Sequence, residues 1–321
     1  MSQGKTEHTR DAGVDLNVKV VSSQAATALA RVAVALTKLR PIEKVDRVRL
    51  AVAPIVNVPA REVDRFELKY WVPTAITNEV LEYARPYLVI DPYNEKLGLD
   101  RQYNTTLYLE TPNLNAYRTH VDAAADRYKL RIRAYGEVPH GPAFFETKRK
   151  LKSITVKTRA AVEMRDVAPL VDGTYDALPA SLSPIERRNL ENFLYLQTVT
   201  NARPCVLVRA HRESYCSPDP REEVRLTFDR EICFQPARGA SLHVDPRDWI
   251  PIDGEAQHGH RGSHTMIELK FPRIAPLWMG RVIERLNMWR VGYSKYVAAV
   301  RSLLDQSMID ATAWDLAGEG E

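Results

Sequence analysis

The stretch that decides the fold is 126–136, DRYKLRIRAYG, in which basic residues alternate with mostly nonpolar ones. Lys129, Arg131 and Arg133 stand at every second position of this stretch. Alternation with a period of two is typical of a β-strand whose two faces differ. One face of this strand is purely cationic. Because like charges on one strand face repel each other, the pattern predicts a counter-charge nearby.

The same division into a nonpolar and a charged face recurs along the chain. Six predicted strands carry it, and basic residues outnumber acidic ones on their charged faces. Amphipathic helices elsewhere in the sequence can cover the nonpolar faces. The charged faces of the other five strands carry Arg65, Glu67 and Lys69; Glu146, Lys148 and Lys150; Lys157 and Arg159; Arg225, Thr227 and Asp229; and Glu268 and Lys270.

The charged faces have two alternative locations. They are either the solvent side of an open antiparallel sheet or the lining of a sheet that curls around a wet interior. Densely packed cations favour the interior, because desolvating them costs several kcal/mol each unless a counter-charge arrives. We therefore expect an α+β fold. It is a closed or nearly closed antiparallel β-barrel of about eight strands, with amphipathic helices packed outside.

Phosphate is the counter-charge that suits this interior best. Arginine and lysine side chains bind phosphate oxygens well. Isolated carboxylates among them suit a Mg²⁺ or Mn²⁺ ion that bridges the protein to phosphates. The sequence has no GxxxxGK[ST] motif, so a nucleotide would not be held by a P-loop.

The composition is that of a soluble globular protein. The 321 residues are 45% hydrophobic and 27% charged, and the formal net charge is only +4. This small net charge argues against nucleic acid as the ligand. Three cysteines without a metal-ligand spacing indicate a reducing cytoplasm. We find no signal-peptide pattern, and no segment approaches the roughly 18 nonpolar residues of a membrane span.

The order of the predicted elements divides the chain into three regions. Residues 1–60 are an N-terminal extension, expected to be partly disordered, with one helix over 22–40. Residues 61–310 contain all the alternating strands and form the tunnel domain. Residues 311–321 are a C-terminal tail. The wide nonpolar face of the helix over 22–40 predicts that it docks on the tunnel domain or on a partner.

Nine short motifs follow one another along the tunnel domain. They are FELKYWV (66–72), LYLETPNLNAY (107–117), RYKLRIRAYG (127–136), FFETKRK (144–150), ITVKTRA (154–160), AHRESY (210–215), EVRLTFD (223–229), MIELKF (266–271) and GYSKY (292–296). In this order the chain resembles the VTC domain, the catalytic domain of the vacuolar transporter chaperone polyphosphate polymerases. That family belongs to the triphosphate tunnel metalloenzyme, or CYTH-like, superfamily. The resemblance covers about 61–305 and fits the compact, stand-alone bacterial type.

The resemblance implies a tunnel of antiparallel strands in which ATP extends inorganic polyphosphate with a divalent metal, Mn²⁺ or Mg²⁺. It places the metal-binding glutamate at Glu268 and a lysine near the tunnel mouth at Lys295. It places the family's basic, phosphate-binding tunnel residues at Lys69, Arg131, Arg133, Lys148, Lys157, Arg212 and Arg225. All of these except Lys157 are also expected to take part in phosphoryl transfer.

Strand alternation alone adds Arg159 to the phosphate-binding residues. Arg209 remains an alternative to Arg212, since both lie on the same predicted strand. Glu67 and Glu146 either orient neighbouring cations or hold a second metal ion.

The expected reaction needs no nucleophilic side chain, because the end of a polyphosphate chain is already anionic. The protein would align donor and acceptor and neutralise developing charge. Two other functions stay open: a triphosphatase that uses water as acceptor, and a non-catalytic polyphosphate-binding module. The expected partners are ATP and inorganic polyphosphate, without nucleic acid. The expected location is the cytoplasm, or the periphery of the inner membrane through a membrane-protein partner.

Overall fold

The computed structural model describes residues 66–151, 154–252, 264–272 and 274–305. The N-terminal extension, with its predicted helix over 22–40, and the tail 311–321 lie outside these residues. The division into three regions therefore stays a prediction.

Ten strands form one antiparallel sheet in the described part of the chain, and the opening stretch forms one of them, β4. All six alternating strands of the sequence are confirmed as strands. The strands are β1 Phe66–Pro73, β2 Val89–Ile90, β3 Arg101–Glu110, β4 Asp126–Tyr135, β5 His140–Leu151, β6 Ile154–Glu163, β7 Arg203–Cys216, β8 Arg225–Pro236, β9 Ile250–Pro251 and β10 His264–Phe271.

Sequence signals mark the start of the longest helix. The longest begins after Ser183, whose side chain forms a reciprocal capping box with Glu186, and Pro184 fits its first turn. Within the described ranges, no helix is both long and nonpolar enough to span a bilayer. The helices are α1 Thr77–Ala84, α2 Pro92–Lys96, α3 Asn115–Val121, α4 Val167–Asp172, α5 Pro184–Val199, α6 Leu277–Arg285 and α7 over 295–305.

The strands follow the order β1-β10-β8-β7-β3-β4-β5-β6, with β2 beside β7 and β9 beside β8. The end strands β1 and β6 do not pair with each other in this part of the chain, so the predicted barrel is only partly confirmed. The free edge of β1 is occupied instead. The amide of Val291 donates to the carbonyl of Lys69 at 2.8 Å, and Arg290 bridges Tyr70. The edge that would have to meet β6 is therefore already bonded.

The sheet curls around its charged face although the ring of strands is open. Glu67 on β1 and Lys148 on β5 belong to the first and seventh strands of the order. In a flat sheet they would lie ~29 Å apart. Burial lowers the pKa of Lys148, yet the negative charge of Glu67 opposes that shift across the sheet. The two side chains are thus within electrostatic range, and the charged face is concave.

Helices cover the nonpolar outer face, as the sequence predicts. Helices α4 and α5 pack on β3 to β6, where the rings of Phe145 and Phe193 meet edge to face at 5.0 Å. Helices α1 and α6 pack on β1, β8 and β10 around Phe228 and Met279. Both nonpolar clusters lie on the side of the sheet opposite the charges.

Helix α7 differs from the others because it packs against the concave side. The ring of Tyr296 lies 5.0 Å from that of Tyr108, and its hydroxyl donates to the buried carboxylate of Glu110. Ala299 and Val300 continue the contact. We call the resulting nonpolar group the end cluster, since it fills one end of the concave face. It also contains Trp71, Val206, Val208, Phe234 and Met266.

A bulge lets strand β8 serve both the charged region and the end cluster. Glu231 has a φ of 50°, and the pairing of β7 with β8 shifts register between Arg209 and His211. Before the bulge Asp229 faces the concave side, and after it Phe234 does. A bulge of this kind reverses which alternate residues face inward.

Candidate functional site

The concave face gathers most of the predicted cations into one group, which we call the cationic cluster. Strands β1, β4, β5, β6, β7 and β10 contribute basic residues at alternate positions, and Lys295 joins them from the start of α7. The cluster consists of Lys69, Lys129, Arg131, Arg133, Lys148, Lys157, Arg159, Arg212, Lys270 and Lys295 around the carboxylates of Glu67, Glu146, Asp229 and Glu268.

Glu146 on β5 is a buried carboxylate with three cationic partners. Its Oε2 accepts from Nε of Arg131 at 2.7 Å, and its Oε1 accepts from Nε of Arg159 at 2.8 Å and Nζ of Lys157 at 2.7 Å. Burial alone would raise its pKa, but the charges of Arg131, Arg133 and Lys157 hold the pKa well below its usual range. These contacts support the orienting role for Glu146 rather than a role as ligand of a second metal.

Asp229 on β8 is a second fully buried carboxylate. Nε and Nη2 of Arg212 donate to its two oxygens at 2.6 Å each, and Nζ of Lys295 donates to Oδ2. Burial alone would raise the pKa of Asp229, but Arg212 and Lys295 hold it well below the usual range. The two-pronged contact fixes the plane of the Arg212 guanidinium.

Glu268 on β10, the predicted metal ligand, is surrounded by cations. Its carboxylate oxygens lie 2.8 Å from Nζ of Lys270, 3.7 Å from Lys69 and Arg212, and 3.9 Å from Lys295. Burial opposes ionisation, but the nearby positive charges outweigh it and hold the pKa of Glu268 well below its usual range. Glu268 is therefore an ionised oxygen donor in a strongly positive setting.

Lys69 on β1 is held from two sides. Its Nζ lies 3.0 Å from the carboxylate of Glu67 and donates to the carbonyl of Tyr293 at 3.2 Å. Burial lowers its pKa, but the charges of Glu268 and Glu67 outweigh that effect and leave the pKa raised. The segment before α7 thus contributes directly to the cationic cluster.

Arg133 and Lys148 lack an acidic partner within 4.0 Å among the described residues. Nε of Arg133 donates to Oγ1 of Thr106 at 3.2 Å instead. The pKa of Arg133 is lowered by burial and then by the charge of Arg131. The pKa of Lys148 is lowered by burial, with Lys69 among the neighbouring cations that add to the effect. The cluster therefore holds positive charge that its own carboxylates do not balance.

Two further lysines have lowered pKa values, although Lys157 contacts Glu146. Burial lowers the pKa of Lys157 to about 8, although Glu146 opposes the shift. The pKa of Lys129 lies well below its usual value through burial and through cations that include Lys148. Nζ of Lys129 donates to Oγ of Ser294 at 2.8 Å and lies 3.1 Å from Nε2 of His120.

The structure distinguishes the two candidate arginines of β7. Arg209 faces the outer side, where its guanidinium carbon lies 4.9 Å from the ring centre of Tyr103 and 4.8 Å from that of Trp249. Arg212 is the one that reaches the concave face. Arg225 lies at the margin of the cluster, half exposed and 3.6 Å from Asp91.

The described residues could supply only part of a metal shell. In the ranges that the structure describes, no group of three or more His, Cys, Asp or Glu side chains is placed to hold a metal ion. Glu268 offers carboxylate oxygens, the ligand type that Mg²⁺ and Mn²⁺ prefer. Mg²⁺ commonly takes one or two carboxylates and completes its shell with phosphates and water. The donor set around Glu268 fits an ion that arrives together with phosphate.

Three members of the cluster were absent from the predicted site: Lys129, Asp229 and Lys270. All three stand on the charged side of an alternating strand, so alternation contained the signal for them. Asp229 is the most informative omission, because it is the carboxylate that holds Arg212. Asp229 orients Arg212 across the strands, and alternation does not reveal which residue lies opposite it.

A family model for the VTC domain matches residues 64–304. The chain belongs to the VTC domain family. The match begins two residues before β1 and ends within α7, so it includes every described strand and the whole cationic cluster.

This VTC domain is also similar to a curated protein, the vacuolar transporter chaperone complex subunit 2 of Schizosaccharomyces pombe. The two are 21% identical over 289 residues, and the match covers 78% of this chain and 39% of that subunit. The chain therefore spans about two fifths of the length of this relative.

Two solved structures show a distant likeness to this VTC domain. The PH1819 protein of Pyrococcus horikoshii OT3 has 13% identity and a TM-score of 0.31, over 69% of this chain and 86% of that chain. A candidate adenylate cyclase of Bacillus halodurans has 10% identity and a TM-score of 0.37, over 72% of this chain and 95% of that chain. TM-scores this low support no conclusion about function.

Proposed function

We propose that this VTC domain is a polyphosphate polymerase. It would transfer the terminal phosphoryl group of ATP to the anionic end of an inorganic polyphosphate chain, with ADP leaving. The observation that carries the proposal is the cationic cluster on the concave face. Its positive charges outnumber the negative charges of its carboxylates. An extended phosphate chain supplies the missing counter-charge along several strands at once. Membership of the VTC family and the similarity to a vacuolar transporter chaperone subunit support the same function.

In this proposal each part of the cluster has a distinct role. Glu146 and Asp229 hold Arg131 and Arg212 in fixed orientations, so little ordering is left to occur when phosphate binds. Glu268 would hold Mg²⁺ or Mn²⁺, which neutralises charge on phosphate oxygens when it is bound. The phosphates of donor and acceptor would contact Lys69, Arg131, Arg133, Lys148, Arg212 and Arg225, with Lys157, Arg159 and Lys295 extending the binding surface.

The state of the carboxylates favours a phosphate acceptor over water. Hydrolysis is assisted by a general base that takes a proton from water. Glu146, Asp229 and Glu268 all have pKa values well below the usual range because cations surround them. Such carboxylates are weak bases, whereas the end of a polyphosphate chain needs no deprotonation before it attacks.

An assay of purified protein with ATP and either Mn²⁺ or Mg²⁺ tests the proposal. We expect products of increasing chain length on a gel, and no product when the metal is withheld. If the assay yields free phosphate and no polymer, the protein is a triphosphatase and not a polymerase. If the protein binds ATP and forms neither product, it is a non-catalytic polyphosphate-binding module.

Proton uptake should accompany phosphate binding. The free protein holds Lys157 at a pKa of about 8 and Lys129 and Lys148 below their usual values. A bound polyanion raises these values, so a lysine that was partly neutral gains a proton. Between the free and bound pKa values, affinity falls as pH rises, by up to about tenfold per pH unit for each lysine involved.

Calorimetric titration with inorganic tripolyphosphate at pH 8.5, in two buffers of different ionisation enthalpy, measures this uptake. Lys157→Met should show less uptake than the unaltered protein, and the difference between them cancels the titration of the ligand itself. Equal uptake in both proteins would contradict the assignment to Lys157.

A further inference from the structure

Aromatic side chains form a group at one margin of the cationic cluster, on the same concave face. The ring of Tyr135 meets that of Phe144 edge to face at 5.7 Å. The guanidinium carbon of Arg159 lies 4.1 Å from the centre of the Phe144 ring, and its Nη2 donates to the hydroxyl of Tyr135 at 3.2 Å. Tyr93 approaches Tyr135 from helix α2, with ring centres 6.0 Å apart.

This aromatic group lies next to the residues that the proposed function assigns to phosphate. Phe144 stands opposite Arg133 in the pairing of β4 with β5. Arg159 links the two regions directly, since it also contacts Glu146 at 2.8 Å. A ligand whose phosphates reach Arg133 would therefore place its next chemical group beside these rings.

Helix α2 holds Tyr93 over this margin. Asp91 caps the helix by accepting from the amide of Tyr93 at 3.0 Å, and it also lies 3.6 Å from Arg225. The residue Tyr93 is 52% exposed, which leaves much of a large aromatic surface uncovered beside a charged site. The opposite part of the concave face is filled by the end cluster, so the aromatic margin is the part where a ligand can extend outward.

We propose that Tyr93, Tyr135, Phe144 and Arg159 bind the base of the donor nucleotide by stacking. The inference rests on the proposed function, which makes a nucleoside triphosphate the donor. Aromatic rings and guanidinium groups stack on nucleobases, and no hydrogen-bond readout is needed for that contact. The four side chains offer mainly flat surfaces, so the site accepts adenine and guanine alike and does not distinguish them by their edges.

Binding of two ligands that share a triphosphate tests this base site. ATP carries the nucleoside, and inorganic tripolyphosphate does not. Both are titrated into the full chain without divalent metal, so that turnover does not interfere. Replacing Tyr93 by Ala should weaken ATP and GTP binding by about tenfold, the effect of losing one stacked base. Tripolyphosphate binding should stay unchanged, and Tyr93→Phe should retain ATP binding.

The control is Tyr87→Ala, which removes another partly exposed tyrosine that stacks on Trp278 at 5.6 Å. It should change the affinity for neither ligand. An equal loss for both ligands in Tyr93→Ala, or no loss for ATP, would overturn the base site. Because these are binding measurements, they remain decisive if the gel assay finds no polymer. If the unaltered protein makes polymer but Tyr93→Ala shows no loss specific to ATP binding, the base site is overturned and the proposed function stands.

Discussion

Replacing Glu268 by Gln should reduce polymer synthesis by at least about 100-fold. The amide keeps the size of the side chain but removes the charge that would hold a divalent ion, and metal stabilisation of a phosphoryl-transfer transition state is worth several kcal/mol. The measurement is the initial rate of polymer formation from ATP over a range of Mg²⁺ and Mn²⁺ concentrations. We expect the remaining activity to require more metal than that of the unaltered protein.

The same variant separates catalysis from binding. Glu268 lies within 4.0 Å of four cations, so removing its charge makes the cationic cluster more positive. Tripolyphosphate should therefore bind Glu268→Gln at least as tightly as the unaltered protein when no metal is present. Full polymer synthesis by Glu268→Gln would contradict the metal role. A loss of tripolyphosphate binding would show that Glu268 supports the fold of the site instead.

Replacing Glu146 by Gln should cost about 3 kcal/mol of unfolding free energy. Loss of one partner of a buried ion pair typically costs about 3–5 kcal/mol. We expect the lower end, because the side chains of Lys157 and Arg159 are 45% and 40% exposed and solvent screens their charges. Chemical denaturation in phosphate-free buffer measures the change. Adding tripolyphosphate should restore part of the lost stability, because it replaces the missing negative charge.

The matched control for this variant is Glu163→Gln. Glu163 also pairs with an arginine, Arg165 at 2.8 Å, but both side chains are exposed. Its loss should cost less than about 1 kcal/mol. Similar costs in the two variants would mean that Glu146 does not anchor the cluster. A large rise in the metal concentration needed by Glu146→Gln would instead support the second-metal role.

Alternation predicted much of the cationic cluster, because the face on which a strand residue lies depends only on its position in the alternation. Arg131, Arg133 and Arg159 lie on the charged face that alternation assigned to them, and alternation was the sole evidence for Arg159. Alternation fails at a bulge. Glu231 adopts a left-handed backbone conformation without being glycine, so nothing in the sequence marked the point where β8 reverses its faces.

The pairing of charges across strands lay beyond the sequence. Asp229 meets Arg212, its register partner in the pairing of β7 with β8, and Lys295 at the start of α7, which are 17 and 66 residues away along the chain. The openness of the barrel has a similar origin. It depends on a short contact between β1 and residues 290–291, a segment without strand character of its own.

The attachment of β1 has a consequence for biosynthesis. β1 leaves the ribosome before the other described strands, yet it pairs with β10. Nζ of Lys69 donates to the carbonyl of Tyr293, which is 224 residues further along the chain. Contacts of such long range form slowly, and an unpaired strand edge invites association with other chains in the meantime. The edges of β1 in the nascent protein therefore need protection from association with other chains until nearly the entire domain has been translated. A product truncated before residue 290 would lack both the amide of Val291 and the carbonyl of Tyr293, which bind Lys69.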